Sequence, residues 1–455
     1  MISIRKSRLS DKGKRTFRSF IEDSFSLDVF DLKNIIKSMH FEMEKGLGDT
    51  EESSLAMVPS YVAPATGKEE GHFIAVDFGG TNLRVIVVKL LGNGVLEVKT
   101  KDAYKIPKEL ITSNAEKLFD FLADAVKETL VNSLLIEKKI KLGFTFSFMV
   151  NQTSVNSGSL IKWTKEFDVS GVVNEDVVKL FEVALIRKNI TNVKISALVN
   201  DTIGTLISKE YSNEKIDVGV ILGTGTNACY IEETKNIKKM AGKFDNYQSD
   251  KMLINMEWGN FNLIPRNYYD HILDKNSSAP SFQCAEKMIS GLYLGELTRI
   301  VFQDLIERHF LFENSKKGPQ FTQNHFTTPN MAIIENDVTF ALQEIQQLLL
   351  NLGIECATLR DRELMQRVSK IISKRATRIA AAMVCAVITW SDPNLEKNHV
   401  VAMDGSLYEL YPSFKKMIKR TIYELFDESK IDRIQLVKAE DGSGLGAAII
   451  AATAK

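Results

Sequence analysis

The feature that most constrains the fold is a strand–turn–strand pattern that occurs twice in the chain. The first copy, residues 73–88, reads FIAVDFGGTNLRVIVV, and the second, residues 218–233, reads VGVILGTGTNACYIEE. Each copy has an apolar run, a turn of Gly and Thr that ends in Asn, and a second run. Runs rich in Val and Ile and flanked by Gly are typical of buried strands. The pattern therefore predicts two half-domains with similar strand pairs.

The two turns predict a binding site for a polyphosphate. Gly has no Cβ, so its backbone reaches unusual φ values and successive N–H groups can form a concave donor surface. The Thr hydroxyls add one donor each, and two such turns suggest half-domains that face one polyphosphate. Neither turn matches the P-loop pattern G-x-x-x-x-G-K-[ST] or the dinucleotide spacing G-x-G-x-x-G before a helix.

Length and charge narrow the class of protein. A chain of 455 residues is long enough for two lobes, each with its own core. Lys and Arg together number 58, as do Asp and Glu, so a net charge of zero favours neither nucleic acid nor an acidic membrane. The longest apolar run, 379–390, falls short of the ~20 residues that a membrane span needs. The basic stretch 4–18 indicates a solvated segment before a helix, with a binding or targeting role as the alternative.

The Cys and His residues indicate a reducing compartment and no zinc site. Cys229, Cys284, Cys356 and Cys385 are far apart, and we expect reduced core thiols in a cytoplasmic protein. The six His show no ligand spacing.

The apolar patterns predict an alternation of strands and helices. Around the first turn they predict strands at 72–78, 83–90 and 95–105, the last two joined by a hairpin turn at 92–94. A helix at 115–130 and strands at 140–146 and 193–199 follow. The second lobe is expected to contain strands at 217–222, 227–232, 252–256, 399–403 and 434–437, and helices from Cys284, Asp361 and Tyr411. The stretch 323–335 has loop character.

Asp77 ends the strand that precedes the first glycine turn. A carboxylate beside a phosphate site is well placed to hold Mg²⁺, directly or through water. The alternative is an Asp that caps the turn through its own backbone N–H groups; the presence of a second turn favours the phosphate interpretation. Arg84 could pair with phosphate or with a surface acid.

Asn200 and Asp201 follow a predicted strand and precede a predicted helix in SALVNDTIGTL. A carboxylate at such a strand end points into the crevice where open α/β sheets bind ligands. Asp201 could there accept the proton of a substrate hydroxyl, as phosphoryl transfer to an alcohol requires. The alternative, which this segment alone favours, is a helix N-cap.

The stretch 143–168, GFTFSFMVNQTSVNSGSLIKWTKEFD, mixes polar residues with aromatic ones. Sugar pockets need this mixture, because polar groups bind the hydroxyls while Trp163 and the Phe residues form apolar walls. A surface loop would look similar. The polar candidates are Ser147, Asn151, Gln152, Asn156, Thr164 and Lys165. Glu257 and Glu286 could accept hydrogen bonds from sugar hydroxyls, or be solvated acids.

Eight motifs together resemble one family. They are DFGGTNLR, TFSF with N-x-G-x-L-x-x-W-T-K-x-F, NDTIGTL, GTGTNACY, NMEWGNF, EKMISGLYLGE, DGSLYELYPSF and AEDGSGLGAA. From about Met57 to the C-terminus their order is that of eukaryotic hexokinases and glucokinases. The chain looks like a single-unit hexokinase and is most similar to fungal glucokinase-type members.

The resemblance implies an α/β protein with the actin-like ATPase (ribonuclease H-like) fold, two lobes and a deep cleft that binds ATP. Residues 1–56 would form an N-terminal helical segment that packs on the large lobe. Residues 57–200 and 443–455 would form the small lobe, and residues 201–442 the large lobe.

The resemblance also implies roles for individual residues. Asp201 would be the general base for the sugar C6 hydroxyl, and Lys165 would polarise the sugar and the transferring phosphoryl group. The implied sugar ligands are Ser147, Thr164, Lys165, Asn200, Asp201, Asn227, Glu257 and Glu286. Asp77 would hold Mg²⁺ through its water shell. The residues expected to contact ATP are Asp77, Gly79, Gly80, Thr81, Asn82, Arg84, Gly223, Thr224, Gly225, Gly405, Ser406, Gly442, Ser443 and Gly444.

Two departures from the family lie beside the predicted sugar site. Met149 stands where the family usually has Pro, which loosens the loop after Ser147. Glu166 stands where it usually has Gly and adds a charge next to Lys165. Both bear on substrate preference more than on phosphoryl transfer.

The sequence thus predicts an ATP- and Mg²⁺-dependent hexose 6-kinase whose lobes close on the sugar and exclude water. Glucose is the expected substrate, with mannose, fructose or N-acetylglucosamine as other candidates. The alternatives are an amino-sugar kinase on the same scaffold and a catalytically weak, sugar-sensing regulatory protein. We expect a cytoplasmic monomer or homodimer with no nucleic-acid partner and no membrane span.

Overall fold

A computed structural model gives the structure of most of the chain. It describes residues 19–79, 82–163, 167–212, 215–242, 247, 249–313, 319–322, 325–439 and 441–454. The strands are β1 Val58–Pro59, β2 Glu70–Phe78, β3 Asn82–Leu91, β4 Leu96–Lys105, β5 Ile140–Phe146, β6 Met149–Ser154, β7 Ser157–Lys162, β8 Val193–Val199, β9 Val218–Leu222, β10 Thr226–Glu233, β11 Lys251–Asn255, β12 His399–Asp404 and β13 Ile434–Lys438.

The helices surround these strands and connect them. They are α1 (19–25), α2 Val29–Leu47, α3 Lys108–Ile111, α4 Ala115–Asn132, α5 Val177–Arg187, α6 Asp201–Tyr211, α7 Tyr268–Asn276, α8 Cys284–Ile289, α9 Leu294–Glu307, α10 Thr328–Asn336, α11 Gln343–Asn351, α12 Leu359–Ser391, α13 Ser406–Leu410, α14 Phe414–Leu425 and α15 Gly442–Thr453. Short 3₁₀ helices occupy Thr234–Asn236, Lys238–Met240, Trp258–Asn260, Phe340–Leu342 and Glu428–Arg433.

The strands form two main sheets. Among the described residues, sheet I has six strands in the order β1-β11-β10-β9-β12-β13, and sheet II has five in the order β4-β3-β2-β5-β8. In sheet II, β2, β5 and β8 run parallel, so their carboxyl ends lie at one edge. In sheet I, β9 runs parallel to β12 and ends beside it. β6 and β7 form a separate hairpin.

Two helices lie between the sheets. α6 packs on strands of sheet I, α15 packs on strands of sheet II, and the two helices pack on each other. Glycines allow this close approach: a Cβ on Gly446 would lie 2.0 Å from the carbonyl oxygen of Gly204, and one on Gly143 would lie 2.0 Å from that of Ala447. The start of α6 is therefore fixed between the two sheets.

The N-terminal helix α2 packs against α12 and α14. It begins with a capping box, in which the side chains of Asp28 and Asp31 each accept a hydrogen bond from the other's backbone N–H. Within the described ranges, no helix has the combination of length and apolarity needed to cross a membrane.

The structure confirms most of the predicted elements and corrects two expectations. Strands β5 and β8 have the predicted bounds, and Asn93 has φ 51° in the predicted hairpin turn. The expected loop at 323–335 is wrong from Thr328 onward, where α10 begins. A capping box of Thr327 with Asn330 and a Pro in the first turn start this helix, and turn-forming residues of this kind also occur in loops.

The expectation of four core thiols is wrong for one of them. Cys229, Cys284 and Cys385 are buried, but Cys356 is exposed in the connection between α11 and α12. The four cysteines are all described and none forms a disulfide.

Candidate active site

The carboxyl ends of β2, β5 and β8 bring three predicted groups to one edge of sheet II. Asp77 is the second-last residue of β2, Ser147 follows β5, and Asn200 follows β8. A Cβ on Gly79 would lie 3.6 Å from Oγ of Ser147 and 3.7 Å from Oδ1 of Asp77, which places these groups around the start of the first turn. Asn82 begins β3 on the other side of that turn, and Gly80 and Thr81 lie outside the described residues.

At the start of α6 the structure decides which residue is the helix cap. Asn200 is the N-cap, and its Oδ1 accepts hydrogen bonds from the N–H of Thr202 at 2.9 Å and from the Thr202 hydroxyl at 2.6 Å. Asp201 is the first residue of the helix and is half-buried. A helix N-terminus stabilises a negative charge, so Asp201 occupies a favourable position for a carboxylate.

Asp201 lies between two other acids, Asp77 and Asp404. Burial raises the pKa of Asp77; the guanidinium of Arg84 works against this, and the charge of Asp201 adds to it. Burial also raises the pKa of Asp404 to about 6, and the charges of Glu409 and Asp201 add to the effect. Asp77 belongs to sheet II and Asp404 ends β12 of sheet I, so Asp201 acts electrostatically on both sides of the site.

Arg84 is paired with acids in this structure. Its Nη2 lies 2.6 Å from Oδ2 of Asp77, and its Nη1 lies 3.1 Å from Oδ1 of Asp441. Lys101 also contacts Asp441, at 2.5 Å. The Arg84 side chain is 38% exposed, so it can still reach a bound anion. Its contact with phosphate stays a prediction.

The second turn is held by backbone hydrogen bonds. Gly291 donates its N–H to the carbonyl of Gly223 at 2.8 Å, and Leu292 donates to that of Thr224 at 3.0 Å. Gly405 packs directly beneath the turn: it has φ 110°, and a Cβ on it would lie 2.5 Å from the carbonyl carbon of Leu222. Ser406, the next residue, begins α13.

Glu286 also holds the second turn. Its Oε2 accepts the backbone N–H of Thr226 at 2.9 Å, and the Trp258 indole donates to Oγ1 of Thr226 at 2.8 Å. Gly225 leaves the room for this carboxylate, because a Cβ there would lie 2.6 Å from Oε2 of Glu286. The structure thus places Glu286 against the turn.

An amide network joins the second turn to the start of α6. Asn227 donates through Nδ2 to Oδ1 of Asn255 at 2.7 Å, and Nδ2 lies 3.4 Å from both Oδ1 of Asn200 and Oε1 of Glu257. Asn255 in turn donates to Oε1 of Glu257 at 2.8 Å. Glu257 has φ 53°, a left-handed conformation that costs energy for a residue with a Cβ. The three predicted residues Asn200, Asn227 and Glu257 are therefore brought together in a fixed arrangement.

Other predicted residues lie further along the fold or outside the described ranges. Gly442, Ser443 and Gly444 form the first turn of α15, and the Ser443 carbonyl accepts the Thr145 hydroxyl at 3.1 Å. Their contact with the nucleotide stays a prediction. Thr164 and Lys165, together with Glu166, are outside the described residues.

Sequence reasoning missed two residues of the site, Asn255 and Asp404. Asn255 lies in the motif NMEWGNF, two residues before Glu257, and links Glu257 to Asn227. Asp404 ends a strand immediately before a Gly, which is close to the pattern that singled out Asp77. Both signals were present in the sequence.

The described residues contain no group of three or more His, Cys, Asp or Glu side chains that could hold a metal ion by themselves. The acids around Asp201 nevertheless form a concentration of negative charge, since the charge of Asp201 raises the pKa of both Asp77 and Asp404. Carboxylates of this kind suit a hydrated divalent cation that phosphate oxygens also bind.

Comparison with known proteins gives consistent matches over nearly the whole chain. Two family models, both described as hexokinase, match residues 18–211 and 217–453. Hexokinase-7 of Oryza sativa subsp. japonica is 39% identical over 433 residues, which cover 92% of this chain and 93% of that protein. Hexokinase-1 of Saccharomyces cerevisiae is 36% identical over 465 residues, which cover 98% and 94%.

Solved structures also match. The hexokinase of Schistosoma mansoni complexed with glucose superposes with a TM-score of 0.88 at 33% identity, covering 98% of this chain and 100% of that one. A second hexokinase crystal structure has a TM-score of 0.79 at 31% identity, with 97% and 100% covered.

Proposed function

Because the chain belongs to the hexokinase family, we propose that it transfers the γ-phosphoryl group of Mg-ATP to the C6 hydroxyl of glucose. ATP-dependent phosphorylation of a hexose is the activity of this family, and the chain has its actin-like ATPase fold. The preferred sugar, the C6 position and the roles of individual residues are the proposal. The likeness to the glucose-bound hexokinase of Schistosoma mansoni supports glucose.

The observation that carries the proposal is the position of Asp201. It starts a helix between the two sheets, and its charge raises the pKa of an acid on each side. A carboxylate in this position can accept the proton of the sugar hydroxyl as that oxygen attacks phosphorus.

The amide network forms the proposed sugar pocket. Asn227, Asn255 and Glu257 already hold each other, so their remaining donors and acceptors have fixed directions toward a sugar. Ser147 and Asn200 complete the pocket from sheet II, and Glu286 from α8. Thr164 and Lys165 are proposed as further ligands.

The two glycine turns form the proposed site for the phosphates of ATP. Gly79, Gly80 and Thr81 would contact them from sheet II, and Gly223 and Thr224 from sheet I. Asp77 would hold Mg²⁺ through water, and the bound ion would neutralise the phosphate charge during transfer. Gly405 and Ser406, with the start of α15, would surround the adenosine.

We also propose the division into lobes and the setting in which the protein works. Residues 57–200 and 443–455 would form the small lobe, residues 201–442 the large lobe, and residues 1–56 a segment on the large lobe. The enzyme would work in the cytoplasm, because a reducing compartment keeps cysteines free. It would be a monomer or homodimer. The likeness to fungal glucokinase-type members also stays a prediction.

The decisive experiment replaces the proposed base. Asp201→Asn is expected to lose at least ~10²-fold in kcat while glucose still binds, because the variant keeps the side-chain shape but cannot accept the proton. Coupled assays of ADP release give kcat, and titration calorimetry gives the glucose affinity. Asp49→Asn, which changes an exposed acid outside the site, is the control. Normal turnover by Asp201→Asn would overturn the assignment of the base.

The sugar is tested separately with the unmodified protein. We expect the highest kcat/KM for glucose among glucose, mannose, fructose and N-acetylglucosamine. A highest value for N-acetylglucosamine would refute glucose as the substrate and would direct attention to Met149 and Glu166. No ADP release with any of the four sugars would contradict the kinase activity itself.

A further inference from the structure

An exposed aromatic residue lies four positions before Glu286, at the rim of the proposed sugar pocket. Phe282 is 57% exposed. Its neighbours Ser281 and Gln283 have φ 66° and φ 53°, both left-handed conformations that are costly for residues with a Cβ. Such conformations persist only where the surrounding structure enforces them, so this short segment has a defined shape.

Hydrogen bonds to the residues before and after Phe282 fix that shape. The carboxylate of Asp274 accepts the N–H of Ser281 at 3.0 Å, and Oδ1 of Asn260 accepts the N–H of Gln283 at 3.1 Å. The buried ammonium of Lys287 lies 2.5 Å from Oδ1 of Asp274 and also donates to the carbonyl of Ala279. These contacts fix the backbone on both sides of Phe282.

The ring has a cationic partner on another part of the chain. The Lys162 ammonium lies 4.9 Å from the centroid of the Phe282 ring, within the ~6 Å range of a cation–π interaction. Lys162 is the last residue of β7 and precedes Trp163 and the predicted sugar ligands Thr164 and Lys165. β7 packs on α5 and on β8 of sheet II, whereas the Phe282 segment precedes α8, which packs on the 3₁₀ helix Trp258–Asn260 beside β10 of sheet I. The contact therefore joins an element on sheet II to a segment on the sheet I side.

We propose that Lys162 and Phe282, here called the rim pair, stabilise the closed arrangement of the two lobes and so raise the affinity for the sugar. This inference rests on the proposed function and adds two positioning residues to it. The rim pair contacts neither of the reacting atoms, and its free energy enters only the equilibrium between open and closed lobes. It therefore acts on sugar binding and leaves the chemical step unchanged.

The test is a double-mutant cycle on sugar affinity. Phe282→Leu and Lys162→Met are each expected to raise KM for glucose about two- to five-fold, the change that corresponds to an exposed cation–π contact. The double variant should rise no further than the larger single effect, because both changes remove one interaction. We expect kcat and KM for ATP to change by less than about twofold. Phe282→Tyr and Lys162→Arg keep a ring and a cation, and should retain the wild-type KM.

A matched control exists on α2, where the Lys45 ammonium lies 5.2 Å from the ring of Phe41 within one helix. Phe41→Leu and Lys45→Met remove the same kind of contact far from the pocket and should leave KM for glucose unchanged. Unchanged KM in the rim-pair variants, or single effects that add in the double variant, would overturn the proposal. A wild-type protein that phosphorylates no hexose would instead contradict the proposed function.

Small-angle X-ray scattering tests the rim pair without turnover. Phe282→Leu is expected to need about two- to five-fold more glucose than the wild type to reach the smaller radius of gyration of the closed protein, since its closed form is less favourable. The Phe41→Leu control should match the wild type. An unchanged dependence of the radius on glucose concentration in Phe282→Leu would contradict a role in closure.

Discussion

The two glycine turns are alike in sequence but have different surroundings. The described part of the first turn follows Asp77, a buried acid that Arg84 contacts at 2.6 Å. The second turn follows an uncharged strand and is held through its backbone, with Gly291 donating to its first carbonyl and Glu286 accepting the N–H of Thr226. The first turn thus has a charged side chain next to it, whereas the second turn is held by hydrogen bonds to its backbone.

The difference suggests that the two turns have different roles. The acid beside the first turn, Asp77, is buried and has a raised pKa. A carboxylate in this position suits the binding of a hydrated cation that phosphate oxygens also contact. The second turn supplies geometry, because its fixed backbone sets the position of Asn227 in the amide network. Changes at the second turn should therefore affect stability, and changes at the first should affect activity with little loss of stability.

The largest effect is expected at Gly405, beneath the second turn. Gly405→Ala should lower the free energy of unfolding by about 3 kcal/mol, because a Cβ at φ 110° would meet the backbone of Leu222 at 2.5 Å. Gly353→Ala is the control, since Gly353 has φ 76° and nothing within 4 Å of the added Cβ. That change should cost only about 1 kcal/mol of backbone strain. Urea unfolding measures both, and equal losses would show that the second turn is not closely packed.

Asp404, at the end of the strand beside the second turn, gives the next largest effect. Its pKa is raised to about 6 in the folded protein, above the value of about 3.9 for an unfolded chain. The folded state thus binds the proton more tightly, so this group lowers stability as pH rises from about 4 to about 6. Asp404→Asn should therefore raise the free energy of unfolding at pH 7.5 by about 1–2 kcal/mol, allowing for partial exposure, and change it little at pH 4.

Unfolding at the two pH values, with Asp49→Asn as the exposed control, checks this prediction. We expect Asp404→Asn to lose activity although it gains stability, because functional sites keep charges that the fold does not favour. An equal gain at pH 4 and pH 7.5 would mean that the charge of Asp404 is not the cause.

Local patterns in the sequence predicted the strands and the two turns well. Runs such as 140–146 and 193–199 are mostly apolar, in keeping with parallel strands that are buried on both faces over most of their length. The β6–β7 hairpin escaped prediction because its residues are mostly polar, and α10 escaped because its Pro and Thr also occur in loops. In both cases tertiary packing decides between elements that the local sequence leaves open.

The sequence named several residues that the structure brings together, but it did not predict the contacts between them. The pairing of Arg84 with Asp441 joins residues that are 357 positions apart, and no local pattern reports it. The choice between Asn200 and Asp201 as the helix cap depends on where the backbone leaves β8, which only the structure shows. The motif NMEWGNF contains Asn255, but its hydrogen bonds to Asn227 and Glu257, which give it a role, are visible only in the structure.

The smallest expected effect on stability compares one glycine from each turn. Gly225→Ala should lower the free energy of unfolding by about 1 kcal/mol, because the added Cβ would lie 2.6 Å from Oε2 of Glu286 and displace it from the N–H of Thr226. Gly79→Ala should change it by less than about 0.5 kcal/mol, since the nearest atoms to its Cβ are Oγ of Ser147 at 3.6 Å and Oδ1 of Asp77 at 3.7 Å.

The same two variants should also differ in which KM they change. Gly79→Ala narrows the space around the proposed phosphate site, so KM for ATP should rise several-fold while KM for glucose stays close to the wild-type value. Gly225→Ala moves Glu286, a proposed sugar ligand, so KM for glucose should rise as well. Urea unfolding and steady-state assays on both variants test the comparison directly. If Gly79→Ala proved the less stable variant, or changed only KM for glucose, the two turns would not divide the work as their surroundings indicate.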